Sequence, residues 1–210
     1  MALGLKRVLK SGFYTVVVLL LVPLMKLLFR MRVGGKEMIE RGCGYIAVSR
    51  HRSYWDILVL ATALGWRHPI HFIARRGLLR NPFFRPFVKA YATIIDRDSF
   101  GKGDFRRMLN AIKRERLVGI FPEGTTQRRV EAKAGAIRFA RMTGKAFLPI
   151  NIRSVGPYPP RYPFRFPKLT VSIGRPFSAA DLERAAPKAS TRAEQLRIQS
   201  QHLMEQVDAA

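Results

Sequence analysis

Tyr45-Ile46-Ala47-Val48-Ser49-Arg50-His51-Arg52-Ser53-Tyr54-Trp55-Asp56-Ile57-Leu58-Val59-Leu60-Ala61-Thr62-Ala63-Leu64-Gly65 decides the fold, because it changes period in the middle. The apolar run from Tyr45 to Ser49 is short enough for a buried strand, while Trp55 to Leu64 is long enough for a helix, with Gly65 as its stop. Between them lies a basic turn that carries His51 at the end of the strand. A strand followed by a turn and a helix is the repeating unit of a layered α/β domain.

Downstream the alternation continues. His71 to Ala74 reads as a strand, Pro82 to Ala90 as a helix with proline in its first turn, and Thr93 to Ile95 as a strand. Gly103 to Arg114 has Phe105, Met108, Leu109 and Ile112 at helical spacing, and the apolar run Leu117 to Phe121 stops at Pro122. Ala132 to Met142 is the next expected helix, closed by Gly144. Lys145 to Ile152 and Leu169 to Ile173 read as strands that bracket a loop of prolines, aromatics and cations from Pro157 to Lys168. Thr191 with Glu194 is a capping-box pattern opening a final helix, with Leu196, Leu203 and Val207 on one face. The expected fold is α/β: a central, mostly parallel or mixed sheet flanked by helices, with an N-terminal hydrophobic helical membrane anchor. The expected organisation is a membrane-associating segment over 1–33, a catalytic domain over 34–178 and a helical extension over 179–210.

Upstream, Lys6-Arg7-Val8-Leu9-Lys10 precedes a run from Ser11 to Met25 without a charge, and Lys26 and Arg30 follow. Such a run makes a helix of roughly 22 Å, short of the roughly 30 Å hydrocarbon core. Pro23 predicts a break or kink, so a helix pair in one leaflet or a tilted anchor fits as well as a full span. No small-x-small cleavage site follows, so the segment is expected to be retained. Cations on both flanks favour one-sided association with the cytoplasmic face, a bacterial inner membrane if the source is prokaryotic.

The 210 residues hold 38 Lys and Arg against 14 Asp and Glu, a formal charge of +24. Partners are therefore anionic. The chain shows no helix-turn-helix, zinc-finger or aromatic sheet signature, so nucleic acid is not expected among them. Its single cysteine, Cys43 between Gly42 and Gly44, excludes an internal disulfide and any multi-cysteine metal site. Trp66, His68 and His71 have no metal-like spacing with carboxylates and read as packing or solvated side chains.

Two clusters carry chemistry. His51 and Asp56 are five residues apart, roughly 140° around a regular helix, so they meet only if His51 lies on the turn and Asp56 in the early helix. A histidine held by a carboxylate supplies the base for a hydroxyl proton. The second, Phe121-Pro122-Glu123-Gly124-Thr125, ends an apolar strand. Gly124 permits close approach of the backbone, Thr125 offers a hydroxyl and an N–H to phosphate oxygens, and Glu123 suits a substrate hydroxyl or a nearby arginine.

These clusters, in this order, resemble the 1-acylglycerol-3-phosphate O-acyltransferase family of the glycerolipid acyltransferase superfamily. The resemblance runs from about Gly35 to Ile173 through four blocks: His51 to Asp56; Arg75 through Pro82 to Ile95-Asp96-Arg97; Phe121 to Thr125; and Leu148-Pro149-Ile150. Lys133 and Gly135 match a further recurrent feature. It implies an enzyme moving a fatty acyl group from acyl-CoA or an acidic acyl carrier protein to the free hydroxyl of a lysophospholipid, 1-acylglycerol 3-phosphate first, in phospholipid biosynthesis. His51 would be the general base and Asp56 its orienting partner. Arg97, Glu123, Gly124 and Thr125 would bind the phosphoglycerol end, supported by Ser53, Pro122, Arg128 and Lys133. No metal and no cofactor beyond the acyl donor is implied.

Arg50, Gly77 and Thr126-Gln127 stand where the family commonly carries Asn, an acidic residue and Arg-Ser. Another lysophospholipid or glycerol 3-phosphate is the alternative acceptor, and a basic, non-catalytic membrane adaptor the alternative of another class. The cations between Arg67 and Arg116 are expected to meet anionic headgroups and the acyl donor.

Overall fold

The structure, a computed structural model, describes residues 2–80, 85–96, 99–124, 132–161, 165–187 and 189–210. A long helix α1 (Ala2–Phe29) leads into β1 (Arg32–Gly34), β2 (Tyr45–Val48), α2 (Trp55–Leu64), β3 (Ile70–Arg75), α3 (Arg85–Tyr91) and β4 (Ala92–Ile95). Then come α4 (Lys102–Arg114), β5 (Leu117–Ile120), α5 (Gly135–Thr143), β6 (Ala146–Val155), β7 (Lys168–Ile173), α6 (Ala179–Ala185) and α7 (Arg192–Ala209). The first turn of the helix expected from Pro82 lies outside the described residues.

The seven strands form one sheet in the order β1-β7-β6-β2-β5-β3-β4. From β6 to β4 all neighbours are parallel, and β7 runs antiparallel to β6. β1 joins the edge parallel to β7, so residues just after α1 belong to the sheet. Pro149 marks the point on β6 where pairing passes from Val48 of β2 to Ile173 of β7, opposite Ile150. A residue without an N–H suits the point where the strand changes partner. Gly35 turns the chain with φ 80, and a Cβ there would lie 1.9 Å from the Ile173 carbonyl oxygen, so only glycine fits.

The core has two halves. One packs α1, α2 and α3 on one face of the sheet, with Tyr14, Phe29, Leu60, Leu64 and Ile70 fully enclosed. The other packs α4, α5, α6 and α7, with Ile112, Ile137, Phe147 and Leu203 at its centre.

Of the break or kink expected at Pro23, the break does not occur: α1 is one continuous helix through it. The lost N–H leaves only the Leu19 carbonyl without its intrahelical partner, while Met25 and Phe29 beyond it are completely buried and hold the last turns in register. Tyr14, Val18, Met25 and Phe29 form the buried stripe. At roughly 100° per residue, Leu9, Phe13, Val16, Leu20, Leu24 and Leu27 lie on the opposite side, and all are exposed. The Tyr14 hydroxyl accepts from the Ile70 N–H at 3.3 Å, fixing the first half of α1 at the beginning of β3. Phe29 meets Trp55 and Phe166 edge-on at 5.1 and 5.2 Å, fixing its end near the beginning of α2.

His71 is a core histidine, with one ring nitrogen 2.9 Å from the Thr93 hydroxyl and the other buried without a hydrogen-bond partner among the described residues. Burial pushes its pKa down from 6.5 to about 4. The unfolded chain therefore binds the proton first, and stability falls as the pH drops from the unfolded value towards the folded one. A shift of this size corresponds to on the order of 3 kcal/mol. Unfolding in urea, followed between neutral and mildly acidic pH, is expected to show this loss in the wild-type protein and a flatter profile in His71→Gln.

Candidate active site

Two adjacent parallel strands build the site. β2 and β5 pair in the register Val48 to Ile120, so His51 and Glu123 each lie three residues beyond a matched pair. Both emerge at the carboxyl ends of the strands, where open α/β sheets bind their ligands.

The turn between β2 and α2 is organised by one carboxylate. Asp56, in the first turn of α2, is 1% exposed. Its Oδ2 accepts from the backbone N–H groups of Arg52 at 2.7 Å and Ser53 at 2.8 Å, and lies 3.1 Å from His51 Nδ1. Its Oδ1 accepts from the Tyr158 hydroxyl. Ser53 Oγ accepts from the Trp55 N–H at 3.2 Å, closing the turn into the helix. The five-residue spacing therefore works as expected, with the histidine on the turn and the aspartate on the helix.

His51 is 9% exposed, and its ring stacks on Phe121 at 4.2 Å with 15° between planes. With Nδ1 on Asp56, Nε2 is the nitrogen left for a substrate proton. Among the described residues it has no hydrogen-bond partner.

Glu123 is fully committed to protein donors. Its Oε2 accepts from the His51 N–H at 3.0 Å, and its Oε1 from Arg50 at 2.7 Å. Of the partners open to it from sequence, the structure supplies the nearby arginine. Arg50 also grips both carboxylate oxygens of Asp208, near the end of α7, at 2.7 and 2.5 Å. These two carboxylates, Asp208 foremost, raise the guanidinium's pKa further, so Arg50 stays charged. The Asp208 carbonyl in turn accepts from Asn151 of β6 at 2.7 Å.

Gly124 has φ 67 and closes a turn in which its N–H donates to the Phe121 carbonyl at 2.9 Å. The Lys133 N–H donates to the carbonyl of the buried Pro122 at 2.9 Å. Phe121, Pro122, Gly124 and Lys133 border a 380 Å³ cavity whose walls include Ile73, Met108 and Phe139. Arg97, Thr125 and Arg128 lie outside the described residues.

Tyr158 and Asp208 were missed as site residues by sequence reasoning. Tyr158 is 102 residues from its partner, in the loop of prolines, aromatics and cations to which the sequence reading gave no place in the site. Burial, then the Asp56 charge, push its pKa up, so it is a neutral hydroxyl that donates. Asp208 is 158 residues from Arg50, and nothing in its own neighbourhood sets it apart.

Asp56 is 1% exposed, so a lost donor leaves its carboxylate undersatisfied, and Tyr158→Phe is expected to cost roughly 1.5–3 kcal/mol. Guanidinium unfolding of the two proteins measures it, and equal stabilities would remove Tyr158 from the network.

The model of the family described as Acyltransferase matches residues 30–153, more than half of the chain. A relative from Bacillus subtilis, a 1-acyl-sn-glycerol-3-phosphate acyltransferase, is 30% identical over 153 residues, covering 72% of this chain and 75% of its own length. A Streptococcus pneumoniae protein of the same name is 25% identical over 142 residues, covering 67% of this chain but 52% of its own, so the chain spans about half of that relative. The crystal structure of the 1-acyl-sn-glycerophosphate acyltransferase PlsC from Thermotoga maritima superposes with a TM-score of 0.63 at 22% identity. It covers 85% of this chain and 69% of that one, a likeness of fold. With His51 and Asp56 joined at the strand ends and the family match running across both motifs, the chain belongs to the acyltransferase family, in its PlsC-like branch.

Proposed function

We propose that the protein transfers a fatty acyl group from a thioester donor, acyl-CoA or an acylated carrier protein, to the free hydroxyl of 1-acylglycerol 3-phosphate, forming phosphatidic acid. The carrying observation is the His51 imidazole held at Nδ1 by a buried carboxylate, with Nε2 free of hydrogen-bond partners among the described residues. Nε2 takes the proton of the acceptor hydroxyl as its oxygen attacks the thioester carbonyl carbon. The tetrahedral oxyanion then collapses, the carbon–sulfur bond breaks, and the leaving thiolate takes the proton back from the imidazolium. No acyl-enzyme is formed.

Asp56 selects the tautomer and steadies the transient imidazolium, while Ser53 shapes the turn. Arg97, Gly124 and Thr125 contact the phosphoglycerol end, with Arg128 in support. Glu123 acts there by fixing the His51 backbone between substrate and strand. The 380 Å³ cavity beyond Phe121 has the apolar walls that an acyl chain requires.

The segment Leu9–Phe29 is long and apolar enough to cross a membrane, with a mean hydropathy of 2.2. One stripe of it packs against its own domain while the opposite stripe is apolar and exposed. A helix bound along its length to a cationic α/β domain suits the surface layer of one leaflet better than a crossing. We place it in the cytoplasmic leaflet, with the His51 end of the sheet beside the bilayer that supplies the acceptor.

His51→Ala is expected to lower acyl transfer by roughly 10³-fold or more. Membrane binding should be retained, since α1 is untouched. Product formation from both donor types, resolved by mass, with flotation on vesicles as the second readout, tests the pair of expectations. An active His51→Ala protein would sink the mechanism. Asp56→Asn is expected to lower turnover by roughly 10²-fold or more while leaving the acceptor KM within a few-fold.

A further inference from the structure

A second concavity lies at the other end of the sheet. It is a 950 Å³ groove walled by Ser11 and Thr15 of α1, by Gly65 to Pro69 between α2 and β3, and by Lys36, Arg41 and Arg116. Pro69 and Arg116 stand just before β3 and β5, whereas His51 follows β2, so the length of the sheet separates the groove from the catalytic turn.

Its charge is one-sided. Lys36, Arg41, Arg67 and Arg116 converge on it, and Glu37 is the one acid among the described residues that line it. Among the described residues none of these four cations is in an ion pair. Arg116 is oriented without being neutralised: its guanidinium donates to the carbonyls of Cys43 and Glu40, each at 3.0 Å. Desolvation, then Lys26, lowers the pKa of Lys36, and desolvation, then Arg116, Lys36 and Arg67, lowers that of His68. Like charges gathered in a concave wall cost stability unless an anion joins them.

The groove's position selects the anion. One wall is the flank of α1, next to the stripe from Leu9 to Leu27 that faces away from the domain. At its rim Trp66 is 47% exposed, and the Arg67 guanidinium lies 4.9 Å from the centre of its ring. A tryptophan paired with arginine beside an apolar helix face is the chemistry of the lipid–water boundary. We propose that this groove is a second lipid site, which binds the phosphate headgroup of an anionic phospholipid and is separate from the acceptor site at His51. It rests on α1 lying in one leaflet.

Vesicle flotation tests it, with pure phosphatidylcholine compared against four parts phosphatidylcholine to one part phosphatidylglycerol. The variant Lys36→Gln/Arg41→Gln/Arg67→Gln is expected to lose about a hundredfold of the affinity for the anionic vesicles and little for the neutral ones. Its circular dichroism should match the wild type and its melting midpoint should be no lower, since relieving the like charges removes a cost, and the single Arg67→Gln is expected to lose about fivefold. A comparison variant, Arg175→Gln/Arg184→Gln/Arg192→Gln, makes the same change in net charge elsewhere. Equal losses in both triple variants would reduce the groove to general charge and overturn the site.

Inorganic phosphate is the second arm. Protection by millimolar phosphate as strong as that by the lipid would overturn a lipid site in favour of a phosphate site. A raised KM for the acylated carrier protein in the groove variant, with vesicle binding unchanged, would give the groove to the carrier and overturn it likewise. His51→Ala is expected to keep the full preference for anionic vesicles, so a failure of the acyl-transfer reading leaves this result intact. Wild-type protein that floats on neither vesicle would overturn the proposal through its premise.

Discussion

The buried carboxylate of Asp56 is the constraint around which the His51 end of the molecule is arranged. An ion at 1% exposure is tolerable only when its lone pairs are filled, and here two backbone N–H groups, the His51 ring and the Tyr158 hydroxyl do so. Each donor comes with a structural consequence. The Arg52 and Ser53 N–H groups fold the chain back at the end of β2, the ring is thereby turned towards Phe121, and Tyr158 ties down the loop after β6. Neutralising that charge would loosen the turn and the histidine together, so stability and the geometry of the site draw on the same bonds.

Glu123 repeats the arrangement from the neighbouring strand. Its bond to the His51 N–H fastens the end of β5 to the end of β2, and its bond to Arg50 passes the constraint to α7 through Asp208. The pair Arg50 and Asp208 is a third to half exposed, so its worth in stability is small and its effect is chiefly to fix direction. Arg50 therefore has a structural occupation, bridging Glu123 and Asp208. The C-terminal helix, beyond the 30–153 region that the family model matches, thus reaches the residue beside His51.

What was legible in the sequence is what is decided locally. The helix Trp55–Leu64 begins and ends as read because a ten-residue apolar run and a glycine stop are properties of adjacent residues. Gly144 in the left-handed region and Thr191 accepting from the Glu194 N–H are legible for the same reason. β1 was not, since Arg32-Val33-Gly34 has no strand pattern and is extended only because β7 lies beside it. At Pro23 the local rule allows a break or a kink, and burial of Met25 and Phe29 on the far side keeps the helix from breaking. In the site, His51 and Asp56 were readable because their partner is five residues away. Tyr158 and Asp208 were not, because sheet topology alone brings them there.

α1 shows how one element can serve two solvents. Its buried stripe is fixed by specific partners: the Tyr14 hydroxyl on the Ile70 N–H, the Tyr91 hydroxyl on the Lys10 carbonyl, and Phe29 against Trp55 and Phe166. On its outward stripe Phe13 stacks on Tyr91, while Leu20 and Leu27 are 69% and 79% exposed. In water that stripe would be a contiguous apolar patch of the kind soluble proteins avoid. The helix cannot leave the domain to bury it without giving up the Tyr14 and Phe29 contacts. Lipid brought to the outer stripe satisfies both faces at once. Because the Phe29 end lies beside Trp55 and the Tyr14 end beside Ile70, a bilayer on that stripe runs past both ends of the sheet. In the proposed one-leaflet placement, the orientation of the His51 end would follow from the packing of a single helix.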